Sequence, residues 1–227
     1  MIVLGLDTAL GACSVAILDG DSVAGHAHEK MQRGQAEALA PMTESVMRES
    51  GFSFSNLERL AVTTGPGTFT GQRVGLAFAR AMALALNIPA LGVTTLDAMA
   101  AQALRDEQAD WALAVSDAKR GEVYLGARAA SGETLMPASI MTHDSAAERV
   151  VEGLRIYGDN LALAGTGTEI LRPILESKGW NLRPAKVQQP DAIFVARLGA
   201  ILSTPDAPPK PLYLRAPDAK LPTPQVP

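Results

Sequence analysis

The sequence predicts an α/β protein of two lobes, each a mixed sheet flanked by helices, and three observations lead to that class. Three short apolar runs open the chain and are followed by alternating helical and extended patterns, giving the order βββαβαβα over roughly the first hundred residues. An Asp-to-Gly hairpin pattern near the start recurs 110 residues later. The 227 residues, 47% hydrophobic and 19% charged, suffice for two small cores.

Residues 2–7, 12–18 and 22–28 form the three apolar runs, punctuated by Gly11 and by Asp19-Gly20-Asp21, so they predict an antiparallel meander. Residues 35–49 place Leu39, Met42, Val46 and Met47 at helical spacing, with Pro41 inside, which predicts a kinked or locally opened helix. Residues 60–64 read as a strand, 70–86 as a helix, 90–93 as a strand and 95–104 as a helix. The second half opens with a strand at 111–116, then Asp117-Ala118-Lys119-Arg120-Gly121, a strand at 122–127 and a turn at Ser131-Gly132. Asp7 and Gly11 thus match Asp117 and Gly121, each Asp ending a strand and each Gly opening the next, so one unit is duplicated. Helices follow at 143–153, 168–178 and 192–202, with a strand at 161–164. The proline-rich stretches 205–211 and 217–227 predict a tail that crosses the surface in extended form or is partly disordered. The division is into lobes 1–105 and 106–227, the second carrying this tail. Such a duplicated unit is the plan of the actin-like ATPase, ribonuclease H-like fold, whose interlobe cleft binds nucleotide. Fold alone assigns no activity.

Composition narrows the function. No run approaches eighteen apolar residues, and Asp7 lies in the opening stretch with no basic region before it, so neither a membrane span nor a signal peptide is expected and the protein is placed in the cytoplasm. Cys13, alone in the chain, has no partner for an internal disulfide and reads as a small buried hydrophobe. A net charge of −4 disfavours unaided nucleic-acid binding, so any RNA is held by another chain.

Several motifs are candidates for a site. The turn Asp7-Thr8-Ala9-Leu10-Gly11 reads either as a phosphate-binding turn with a carboxylate for Mg²⁺ or as a plain hairpin turn, and Asp117 is its counterpart in the second lobe. Gly165-Thr166-Gly167-Thr168 precedes a helix, where glycines either admit a ligand such as adenosine or make an ordinary turn. Residues 65–75, GPGTFTGQRVG, form a rigid loop with Thr68 or Thr70 as helix N-cap. Gly71, Gly75, Ala79 and Ala83 then recur every four residues as a smooth stripe, suited to the protein's own sheet or to another molecule. His26 and His28 share one face of an edge strand, and no neighbouring acid or cysteine cluster in the sequence completes a metal set; they and His143 read as structural or exposed. No G-x-S-x-G, H-E-x-x-H, C-x-x-C or Walker A pattern occurs.

LGLDTALGACSVAI at residues 4–17, GPGTFTGQRVGLAFARAMALALNIPALGVTTLDAMA at 65–100, SDAKRGEVY at 116–124 and PLYLR at 211–215 together resemble the bacterial TsaB (YeaZ) family, an accessory subunit in threonylcarbamoyladenosine modification of tRNA. Residues 126–190 add little to the likeness. The resemblance implies a catalytic paralogue of the same fold, TsaD, with two metal-binding histidines four residues apart. Here Thr95 and Met99 stand at those places, and neither replaces an imidazole ligand. Gln35 stands where family members often carry histidine. It further implies a non-catalytic subunit that binds TsaD through the first two helices, with Gly71, Gly75 and Ala79 in the interface, Phe69 and Arg73 at its edge, and Leu39, Met42 and Val46 contributing from the first helix. On that reading Gly75→Leu abolishes partner binding and spares the fold. The small ATPase TsaE joins the complex, tRNA is met indirectly, ATP or ADP belongs to the assembly and not to this chain alone, and the free protein pairs with itself through the same helices. Two enzyme readings compete: a glycoprotease-like peptidase, which lacks a ligand set or triad, and an independent nucleotide-dependent phosphotransferase using Asp7 and Asp117, which requires tight ATP binding by the isolated chain.

Overall fold

Strand β1 (Ile2–Asp7) turns Leu4 and Leu6 to one side of a sheet and Val3, Gly5 and Asp7 to the other, as the two-residue period of a strand requires. In the computed structural model, which describes residues 1–215, β1 pairs antiparallel with β2 (Ala12–Asp19), and β2 pairs with β3 (Ser22–Lys30). Strands β4 (Arg59–Gly65) and β5 (Ala90–Thr94) continue the sheet in parallel, giving the order β3-β2-β1-β4-β5. Helices α1 (Gln35–Ser50) and α2 (Phe69–Leu86) cover the outer face, where Leu39, Val46, Leu76 and Ala79 pack on Leu4, Leu6, Val15 and Val62. Pro41 does not interrupt α1. It lies on the exposed side, where water can serve the carbonyl that loses its helical donor.

The second unit repeats this plan after α3 (Thr95–Glu107). Strands β6 (Trp111–Lys119), β7 (Glu122–Ala129) and β8 (Thr134–Thr142) form the meander, and β9 (Leu161–Ala164) and β10 (Leu182–Pro184) add in parallel, so the order β10-β9-β6-β7-β8 is the first sheet's order read from the other edge. Helices α4 (His143–Leu154) and α5 (Thr168–Ser177) cover its outer face. Trp111 lies edge-on to Trp180 there, at 5.5 Å between ring centroids, and its indole donates to the Gly158 carbonyl. The sequence reading passes over β8 and β10 because both are edges: β8 carries Pro137 in a half-exposed pattern, and β10 is three residues long and ends on Pro184.

The last helix of each unit changes sides. Helix α3 lays Leu96, Met99, Ala100 and Ala103 on the inner face of the second sheet, where Ala112, Ala114, Ala162 and Ala164 leave room for its backbone. Helix α6 (Ala192–Ile201) lays Val195, Ala196 and Leu198 against Val3 and Ala61 of the first sheet. The two helices touch each other between the sheets. The boundary between residues 1–105 and 106–227 is therefore crossed by both helices, because the inner face of each sheet is covered by the last helix of the other unit.

The segment after α6 runs over the first lobe without regular structure. Arg80 donates to the Pro209 carbonyl at 2.9 Å, the Leu212 amide donates to Thr64 at 2.8 Å, and Arg215 pairs with Glu122 of the second lobe. The predicted extended path fits residues 205–211; the stretch 217–227 lies outside the described residues. Among the described residues no helix is long and apolar enough to cross a membrane.

Candidate functional site

The loop between β4 and α2 seats on the turn between β1 and β2. Thr68 caps α2 by accepting from the Gly71 amide at 3.1 Å, as its residue type predicts, and its own amide donates to the Ala9 carbonyl at 2.8 Å. The Thr8 hydroxyl donates to the Gly71 carbonyl at 2.7 Å. A side chain at Gly67 would collide with the Ala9 carbonyl, one at Gly71 with the Thr8 carbonyl, and a Cβ at Gly75 would stand 2.7 Å from the Thr8 hydroxyl. These glycines serve an intramolecular approach of backbone to backbone. Gly71, Gly75 and Ala79, together with Leu39 and Val46, are buried in the protein's own core, away from the surface where the resemblance would put a partner. The contact with Thr8 makes Gly75→Leu expected to cost stability, in place of the expectation that it spares the fold.

What α2 shows to solvent is a different stripe: Arg73, Ala77, Ala81 and Ala85, with Leu84 beside it at 85% exposure. Between α1 and α2 runs a shallow groove of about 380 Å³, floored by the half-buried Phe78 and Met82 and edged by Ala40, Glu44 and Phe54. Met42 is half-buried on α1. The sequence holds small residues at four-residue spacing on both faces of α2, and only the register of the helix on its sheet separates them. Phe69, 59% exposed, stacks on Tyr213 at 5.8 Å, and the Arg73 guanidinium lies 3.5 Å over its ring while donating to the Tyr213 hydroxyl at 3.0 Å. The end of the described chain therefore covers this corner of α2.

The candidate nucleotide contacts face inward. Asp7 and Thr8 are both buried. One oxygen of Asp7 accepts from Thr63 at 2.6 Å and from the Ala9 amide at 3.1 Å, and the other has no partner. Burial pushes the Asp7 carboxyl up to about 7, against the pull of those two hydrogen bonds. Asp117 makes the equivalent turn, accepting from the Lys119 amide at 2.7 Å, but it is partly exposed and paired with the Lys119 ammonium at 2.6 Å. That hydrogen bond holds its carboxyl below the usual range. Gly165 and Gly167 are buried against strand β6, where a side chain on Gly165 would meet the Val115 carbonyl. Their amides are spent on the Val187 and Val115 carbonyls. The glycines let the turn after β9 pack closely on neighbouring strand β6. The Asp turn is thus repeated in both lobes, buried in the first and reached by solvent in the second.

Thr95 and Met99 are also buried, and the Thr95 hydroxyl donates to the Pro66 carbonyl at 2.6 Å. Gln35 donates to the Leu10 and Met31 carbonyls, tying the start of α1 to the β1–β2 turn. Burial pushes the Cys13 thiol up to about 12, which keeps it protonated. The histidines overturn an expectation. Asp191, the N-cap of α6, reaches His26 at 3.0 Å and His28 at 3.9 Å, so an acid does complete a cluster with them. No sequence signal points to it, because Asp191 is brought in by the crossing of α6.

Comparison with known proteins agrees with the duplicated plan. Residues 22–200 match the family model described as TsaD, tRNA N6-adenosine threonylcarbamoyltransferase. The tRNA threonylcarbamoyladenosine biosynthesis protein TsaB of Haemophilus influenzae is 30% identical over 209 residues, spanning 88% of this chain and 86% of that protein. The Escherichia coli TsaB is 40% identical over 124 residues, and there the match spans 53% of the relative's length. Among solved structures, YeaZ from Pseudomonas aeruginosa superposes with a TM-score of 0.77 at 26% identity, covering 94% of this chain and 99% of that one. A ROK hexokinase from Thermus thermophilus, at TM-score 0.51 and 16% identity, shares the fold. The architecture is a duplicated actin-like fold.

Proposed function

The chain belongs to the TsaB (YeaZ) family, and from that membership we propose that it is a non-catalytic partner subunit in tRNA threonylcarbamoyladenosine biosynthesis, acting in the cytoplasm beside the catalytic paralogue TsaD. The observation that carries the non-catalytic part is the start of α3. Thr95 and Met99 hold the places assigned to the paralogue's metal-binding histidines, both are buried, and the one polar atom between them is already bonded to Pro66. ATP or ADP is assigned to the assembled complex, which includes the small ATPase TsaE; in support, Asp7 is buried and the amides of Gly165 and Gly167 are committed to internal bonds. Transfer RNA is met through the complex, in keeping with a net charge of −4.

The surface that supports the partnership is the outer face of α1 and α2. Exposed small residues at 77, 81 and 85 let another helix come close, and Leu84 with the Phe78–Met82 groove offers apolar area to bury. A paralogue of the same fold presents matching helices, and a second copy of this chain can pair there by a two-fold axis. Depleting the protein in its host is expected to remove threonylcarbamoyladenosine from tRNA, read by mass spectrometry of nucleosides; an unchanged level under complete depletion would sink the proposal. Ala81→Glu places a charge on the exposed stripe without touching the core, so it is expected to weaken copurification with TsaD at least tenfold while leaving thermal unfolding unchanged. Retained copurification would move the interface elsewhere.

A further inference from the structure

We propose that His26, His28 and Asp191 form a binding site for a zinc-class divalent transition-metal ion, placed where edge strand β3 meets the first turn of α6. The argument starts from strand geometry. His26 and His28 are two apart and therefore share a face of β3. Gly25, on the opposite face, approaches α1, where an added Cβ would stand 2.8 Å from the Val46 carbonyl. The histidine face is consequently the one that α6 covers, and Asp191 is the N-cap of α6.

The three side chains converge with donor atoms to spare. One atom from each lies within 4.8 Å of the others, with His26 Nε2 at 3.0 Å and His28 Nδ1 at 3.9 Å from the Asp191 oxygens. Zinc bonds of about 2.0–2.1 Å in a tetrahedron require donors roughly 3.3–3.4 Å apart, so small side-chain adjustments within this 4.8 Å cluster suffice to bring one atom of each residue onto an ion. The Asp191 carboxylate is oriented by its capping bond from the Ile193 amide at 2.9 Å, the kind of outer support that ligating carboxylates use. His28 Nδ1 is buried and accepts or donates no hydrogen bond, so a ring nitrogen is turned into the cluster with nothing to satisfy it. Two imidazoles and one carboxylate select zinc and its neighbours cobalt, nickel and copper over magnesium or calcium, which take oxygen ligands.

Three protein ligands leave a fourth position. A small cavity of about 180 Å³, lined in part by His28 and Asp191, adjoins the cluster and offers that position to water. Lys30 and Lys186 line the same cavity, and their positive charge opposes a cation there, so the affinity expected is modest. Bound there, the ion would clamp the edge strand of the first sheet to the helix that crosses over from the second unit. The site is apart from the α1–α2 face and does not depend on the function proposed above.

The test uses the untagged full chain, since a polyhistidine tag would bind the probe. Titration with Zn²⁺ by calorimetry is expected to show one ion per chain, Co²⁺ to give visible absorption bands of a nitrogen and oxygen site, and Zn²⁺ to raise the unfolding temperature. His28→Ala and Asp191→Asn are each expected to weaken binding at least tenfold, whereas His143→Ala, which removes the remaining histidine, leaves it unchanged. His26→Ala, at a more exposed position, serves as the second variant should the others disturb folding. Absence of saturable binding to the wild type overturns the proposal, as does binding that survives His26→Ala with His28→Ala or disappears with His143→Ala.

Discussion

Gly71→Leu is expected to prevent the chain from folding to its native state. The first added atom would collide with the Thr8 carbonyl oxygen, and Thr68 stands on the other side. The residue is buried, so the remaining atoms have no exit to solvent. Backbone cannot yield there as a flexible side chain would, because Thr8 belongs to the β1–β2 turn and is itself bonded to Gly71. Overpacking typically costs about 1–3 kcal/mol, and a clash with the fixed Thr8 backbone on one side and Thr68 on the other exceeds that range and approaches the roughly 5–15 kcal/mol that holds a domain. Soluble yield and circular dichroism melts check it, with Ala77→Leu on the exposed face of the same helix as the control expected to stay within about 0.5 kcal/mol of wild type. A folded Gly71→Leu protein of wild-type stability that fails to bind TsaD would return this stripe to the interface.

Asp7→Asn is expected to remove a pH dependence of stability. In the folded chain the carboxyl is raised from 3.8 to about 7, chiefly by burial, so the native state binds a proton that the unfolded chain has released. A raised carboxyl contributes stability that is complete below about pH 4 and lost as pH climbs through about 7. The shift corresponds to about 4 kcal/mol, at roughly 1.36 kcal/mol per unit. Asparagine keeps the oxygen that accepts from Thr63 and Ala9 and carries no charge to bury. The difference in urea unfolding free energy, Asp7→Asn minus wild type, should therefore be near its minimum at pH 4 and grow by a few kcal/mol toward pH 8, measured with chelator present. A flat difference across that range would mean that Asp7 is ionised and accommodated in the native state.

Much of this molecule was readable before any coordinate. The meander, the repeat of Asp7 and Gly11 at Asp117 and Gly121, and a threonine cap on α2, Thr68 of the two candidates Thr68 and Thr70, follow from local chemistry: two-residue alternation, turn residues and a hydroxyl at a helix start. Edge strands β8 and β10 were not readable, since a half-solvated edge needs no apolar alternation and tolerates Pro137 and Pro184. The site was harder still. The stripe at 71, 75 and 79 and the stripe at 77, 81 and 85 obey the same spacing rule, and the sequence marks neither as inner or outer.

The sequence by itself determined the duplicated α/β plan, the family, and the absence of histidines at the start of α3, because each is written in residue types and their intervals. Tertiary structure alone decided which face of α2 meets solvent, that the glycines of 65–75 and 165–167 touch backbone, and that Asp191 stands beside His26 and His28. The physical reason is common to all three. Each depends on how one element packs against another, and that packing is set by the summed fit of many side chains, which no short interval of sequence contains.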